Sequence, residues 1–214
     1  YSDADKSSSD QQALFGVIDT ADTAAASNPI RSYSGLVDVT NARVATSGVV
    51  DGVSYGGNDI TDQLTLVDTT AQAYGWKLQL STAPAERNVT STSLLGDILF
   101  ASAFTPSSNL CGGQGRSELY GLFFKTGAPS PDIPTFSTTP ATIAGETVEE
   151  AIRSVDLGVG LASAPSLHAA AARDNRGLTV FTQTSTGAIE RREGAITQAA
   201  RSGEISWQET YLCE

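Results

Sequence analysis

The chain has 214 residues, of which 17% are charged, with a formal net charge of −11 and a pI near 4.4. That acidic balance argues against nucleic acid and anionic membrane surfaces as partners, since phosphate backbones are bound through a basic footprint. No apolar run approaches the roughly 20 residues a membrane-spanning helix needs. Ser, Thr, Ala, Gly and Val dominate, and runs at helical spacing are scarce, which points to an all-β chain forming a single domain over residues 1–214. With Tyr1 first, no Met and no charged-then-apolar leader, the chain is expected to be a processed product or a piece of something longer.

In chain order, residues 1–12 are polar, and 13–19 (ALFGVID) form an apolar run of strand length, expected as a first inner strand. Residues 21–29 read as a loop, and 34–39 and 42–46 alternate like half-buried strands. A connection through Gly56 and Gly57 follows; 63–67 (QLTLV) and 74–80 (YGWKLQL) then alternate again and are expected as strands. Two apolar runs, 89–95 and 98–104, flank a Gly96-Asp97 pair, which predicts a hairpin. A long loop through Cys111 leads to a strand over 119–124. Four of the eight prolines fall in 128–141, which is expected as a surface excursion because proline lacks the ladder donor. Thr147 and Glu150 stand at capping-box spacing and predict a helical turn over 147–153, with a charged loop as the alternative. Strand rhythm resumes at 155–161, 166–168, 178–183, 189–192 and 205–211.

Strand runs every ten to fifteen residues without long intervening helices argue for a sandwich, barrel or propeller. At roughly 40 to 45 residues per blade, a propeller reading gives about four or five blades with long inserted loops.

The residues GWKLQL at 75–80, RNVT at 87–90, ILFASAFTPSSNLCGGQG at 98–115 and ELYGLFFKTG at 118–127 resemble the C-terminal domain of type IV pilus tip-associated adhesins, the PilC/PilY family. Residues 14–19, 181–189 and 205–209 extend the resemblance, in the same order, over nearly the whole chain. The resemblance implies the C-terminal portion of a β-propeller, exported through the periplasm to the pilus tip and outer cell surface. It implies a non-enzymatic role in pilus assembly, control of retraction and surface adhesion. Implied partners are minor pilins, the remainder of the propeller or an N-terminal partner chain, and a receptor on a host or abiotic surface. A periplasmic quinone-dependent dehydrogenase-like propeller and a generic cell-surface β-domain are the alternatives.

Two cysteines, Cys111 and Cys213, suit one disulfide in an oxidising compartment, against the alternative of two unrelated buried thiols. Calcium is the candidate cofactor. Asp3, Asp5 and Asp10 offer oxygens in a loop interrupted by Lys6, and Asp51, Asp59 and Asp62 surround the Gly56-Gly57 turn; neither set matches an EF-hand loop. The adhesive surface is expected on loops 21–30, 105–117 and 128–150, with Ser107, Asn109, Gln114 and Arg116 as contact candidates. His168, the single histidine, excludes a multi-histidine zinc site and reads as structural. Gly112–Gly115 is followed by strand rather than helix, so it lacks the helix N-terminus of a phosphate cradle. Trp76, Tyr74, Trp207 and Tyr211 read as packing aromatics, and the adjacent Glu149 and Glu150 point apart, a poor acid–base pair.

Overall fold

Strands make up most of the secondary structure in a computed structural model that describes residues 10–18, 32–82, 85–107, 115–132, 134–169 and 177–195. The chain is all-β, as its composition implies. Cys111, Cys213, Asp3, Asp5, Asn109, Gln114, Trp207, Tyr211, the 21–30 loop and the 205–211 strand lie outside the described residues.

The first sheet has the order β1-β7-β2. In it β1 (Ala13–Val17) runs antiparallel to β7 (Gly75–Gln79), and β2 (Val37–Asp38) runs parallel to β7. Among the described residues, the expected first inner strand is therefore an edge strand. Trp76 and Leu78 of the central strand are buried, whereas Phe15 and Val17 of β1 stand 60% and 52% exposed. Two ribbons follow β2: β3 (Arg43–Val44) with β4 (Val50–Asp51), and β5 (Ser54–Tyr55) with β6 (Asn58–Asp59) across Gly56-Gly57.

The largest sheet has the order β13-β10-β9-β8. It joins β8 (Ser93–Leu95), β9 (Ile98–Thr105), β10 (Arg116–Phe123) and β13 (Ser154–Val159), all antiparallel. Leu95 pairs with Ile98, which places the turn at Gly96-Asp97 as expected. This sheet is the middle layer of the molecule. Ala101, Ala103, Tyr120 and Leu122 join the core that contains Val37, Val44, Leu66, Trp76 and Leu78. From the opposite face, Ile98, Phe100 and Leu119 pack on Leu157, Leu178 and Val180. Burial of both faces explains why β9 and β10 read as nearly continuous apolar runs rather than strict alternation. The outer layer on the second face contains a meander of β14 (Ser166–Ala169), β15 (Gly177–Gln183) and β16 (Ile189–Ala195).

Three further expectations are corrected. Residues 63–67 belong to a helix, α1 (Gln63–Gln72), not a strand. Asp62 caps it, accepting from the Thr65 backbone N–H at 2.9 Å and the Thr65 hydroxyl at 2.7 Å. Leu66, Thr70 and Ala73 share the buried face while Leu64 is 72% exposed, so the Leu64/Leu66 alternation was a coincidence of helical spacing.

The expected helical turn at 147–153 is instead the strand β12 (Glu146–Ala151), paired with β11 (Thr138–Ile143). Ile143 and Glu146 flank Ala144 and Gly145, whose φ values of 51° and 86° make the two-residue turn that matches strand twist. The hairpin outweighs the capping box because β12 also docks on β3. There the Arg43 guanidinium contacts Glu150 at 2.7 Å, and the Thr46 N–H donates to Glu149 O at 2.8 Å.

Finally, the proline-rich segment does not begin as a surface excursion, since residues 126–131 are buried. The chain turns back after β10, with the Gly127 N–H donating to Phe123 O at 2.8 Å. Gly127 there lies against the Trp76 indole, so close that a Cβ would stand 2.2 Å from a ring carbon. Pro140 does lie in a strand, but in a two-stranded hairpin where one side of β11 needs no ladder donor.

Candidate functional site

Two concavities flank the first sheet and differ in chemistry. The first is a polar cleft of about 590 Å³ where the end of β7 meets the middle sheet, lined among others by Thr40, Asn41, Gln79, Glu86, Glu118, Tyr120 and Arg153. It continues across Thr40, Asn41 and Arg153 into a hollow of about 470 Å³ that reaches Arg43 and Glu150.

Glu86 is the cleft's most unusual group, a carboxylate only 5% exposed. The Tyr120 hydroxyl, projecting from β10, donates to its two oxygens at 2.9 and 3.1 Å, and the Ser81 N–H donates to Oε2 at 3.2 Å. Burial pushes the Glu86 carboxyl above the usual range, against the opposing pull of these hydrogen bonds. Burial, reinforced by the Glu86 charge, also raises the Tyr120 phenol, which therefore stays protonated as the donor.

Several other polar groups of the cleft are also engaged. Arg153 donates to Thr40 O at 2.7 Å, the Thr40 hydroxyl donates to Asp38 at 2.6 Å, and the Gln79 amide donates to Asp38 at 2.9 Å. Chemically the cleft holds two hydrogen-bonded clasps, one tying the 81–86 loop to β10 and the other tying β2 to β7 and Arg153.

The second concavity is an apolar groove of about 640 Å³ between β1 and the β8–β9 hairpin. Phe15, Val17, Trp76, Leu94, Leu99 and Phe124 line it, with Lys125 at its margin. Trp76 forms part of the wall, its indole Nε1–H donating to Phe124 O at 2.8 Å. Leu94 is 56% exposed, and Phe124 is also exposed.

The sequence-derived candidates are spread out. Asp51 and Asp59 share a hollow of about 340 Å³, but Asp62 is not among its lining residues and serves instead as the α1 cap. The Thr65 N–H holds the Asp62 carboxyl below its usual range, and Asp51 accepts from the Gly52 N–H at 2.8 Å. Among the described residues, no group of three or more His, Cys, Asp or Glu could hold a metal ion.

Asp10 precedes β1, and Ser107 lies just beyond β9. Arg116, the first residue of β10, is paired with Asp156 of β13, so this candidate is tied into the middle sheet. Its partner's carboxyl is held low chiefly by the Gly158 N–H, with Arg116 adding to the effect. His168 is exposed on β14. Trp76 is a core aromatic as expected. Glu149 and Glu150 are neighbours on a strand, so they point to opposite faces.

Sequence reasoning missed Glu86 and the groove. One signal was present: the Tyr120 hydroxyl sits in the otherwise apolar run 119–124 and needs a buried partner.

The architecture defines a layered all-β module whose middle sheet is shared by two cores. Comparison of the chain with protein-family models, with curated proteins and with solved structures finds no match in any of the three. Among the described residues, no helix is long and apolar enough to cross a membrane.

Proposed function

We propose that the chain is a non-enzymatic binding and assembly module of the type IV pilus tip-associated adhesin kind, the C-terminal portion of a β-propeller working at the outer cell surface. The ordered motif string carries the reading, supported by how its parts pack. Residues 14–17 pair with residues 75–78, and Trp76 of that strand bonds the carbonyl of Phe124, within the fourth motif. In chain order Cys111 falls between β9 and β10, the two strands at the centre of the middle sheet. In this reading the stacked sheets are the rigid scaffold and the connecting loops carry adhesion, with minor pilins as the assembly partners.

Deleting the encoding gene in its native host, with and without a complementing copy, tests the proposal. Loss of surface pili or of twitching motility, restored by the complementing copy, is the expected result. Unchanged piliation, motility and attachment in the deletion strain would overturn it. Attachment that disappears in chelator and returns with added calcium would extend the reading to a metal-dependent adhesin.

A further inference from the structure

The apolar groove has a second property besides its lining: one wall is a strand whose outer edge is open among the described residues. The Ile18 N–H donates to Tyr74 O and the Leu80 N–H donates to Gln12 O, each at 2.9 Å. In an antiparallel ladder these bonds fix the alternation, so residues 12, 14, 16 and 18 spend their backbone groups on β7. Phe15 and Val17, of the other parity, turn theirs away from β7. Among the described residues no strand pairs with that side of β1.

An edge of this kind is a template for an added strand, and natural sheets commonly blunt it with charge or proline. β1 has neither, reading ALFGV. Its five residues span about 17 Å, enough for an extended peptide to register.

Charge indicates what the added strand carries. The chain as a whole is strongly acidic, yet the single charged residue lining the groove is Lys125. Its ammonium lies 5.8 and 6.0 Å from the Phe124 and Phe123 ring centres and makes no ion pair with a described residue. A second copy of this chain pairing β1 with β1 would bring no carboxylate to it, because β1 contains none.

We propose that the groove takes an extended apolar peptide segment of a partner protein, which adds as a strand to the open edge of β1 and sets a carboxylate against Lys125. The backbone of β1 supplies the ladder, Leu94, Leu99 and Trp76 receive alternate side chains, and Lys125 fixes direction. This inference is independent of the pilus-tip proposal: peptide binding and piliation are read in separate experiments, and either can fail alone.

The test is fluorescence anisotropy of a fluorescein-labelled peptide of alternating valine and threonine ending in two aspartates, titrated with the full chain. Saturable binding is expected. Methylating the peptide's backbone nitrogens at every second residue, on the pairing side, should weaken it by about tenfold or more through lost ladder bonds. Leu94→Asp should weaken it by about tenfold, because a charge replaces apolar contact area. Lys125→Glu should weaken it by about threefold, and a peptide ending in two lysines should recover the loss.

Leu94 and Lys125 are both exposed, and unchanged thermal unfolding of each variant would show that binding rather than folding is being read. Absence of saturable binding, equal affinity for the methylated peptide, or indifference to both substitutions would overturn the proposal. So would a concentration-dependent dimer that Leu94→Asp dissociates, which would assign the groove to a second copy.

Discussion

The polar cleft and the apolar groove flank the same short sheet, yet they stand in opposite relations to the rest of the molecule. In the cleft, a deeply buried carboxylate accepts from a tyrosine and a backbone amide, and Arg153, Thr40, Gln79 and Asp38 beside it are bonded to one another. In the groove, phenylalanine, valine and leucine side chains stand partly exposed beside a strand with one unpaired edge among the described residues. Buried polar groups that are mutually satisfied hold a fold together. Exposed apolar side chains gathered beside an open edge are an unspent capacity for contact. By this criterion the cleft is chiefly structural and the groove is the place where something else binds.

The most disruptive test is Trp76→Ala, which removes a wall of the groove and the centre of the first core together. Trp76 is 1% exposed, and its loss should destabilise the chain by about 3 to 5 kcal/mol, measured by urea unfolding. A loss below about 1 kcal/mol would mean that this side chain is dispensable to the core and that the comparison is misdrawn.

Next in size is Tyr120→Phe, which leaves Glu86 buried without its main donor. An expected loss of about 1 to 3 kcal/mol at neutral pH would show that the clasp is structural. The same pair carries a pH signature. Because the folded-state pKa of Glu86 is raised above its ordinary value of 4.5, the folded chain binds this proton more tightly than the unfolded chain. Its contribution to stability is fully present below pH 4.5 and is lost as pH rises through the folded-state value. Glu86→Gln should remove this component from a stability–pH profile, and a profile that keeps the same falling slope would place the titration elsewhere.

The smallest expected effect is the most diagnostic. Leu94→Ser should change stability by less than about 0.5 kcal/mol, since Leu94 is 56% exposed and its neighbours do not close over it. A larger loss would show that Leu94 already serves the fold of the isolated chain.

Parts of this picture were legible in the sequence for definite reasons. The β9–β10 pair announced itself because strands buried on both faces leave long apolar runs, and the Gly96-Asp97 turn marked their junction with β8. α1 was hidden because Leu64 and Leu66 fit alternation as well as a helix, and only the Asp62 cap, a side-chain–backbone contact, decides between them. The capping-box spacing in β12 misled because the two-residue turn at Ala144-Gly145 and the Arg43–Glu150 ion pair act at longer range. Glu86 and Tyr120 lie 34 residues apart, and no local pattern reports such a pairing. The groove was invisible for a similar reason: the apolar run of β1 says that both faces prefer contact, not which side will be left uncovered.

The shared middle sheet has a kinetic meaning as well. Since β9 and β10 serve as the floor of one core and the ceiling of the other, neither outer layer can detach without baring a face of the sheet to water. Their amides should exchange with deuterium only through the widest openings of the chain, while those of β1 and β16 exchange through shallow ones. Slow exchange concentrated at 98–105 and 116–123 would identify this strand pair as the last part of the chain to come apart, and as the element that couples the two cores in unfolding.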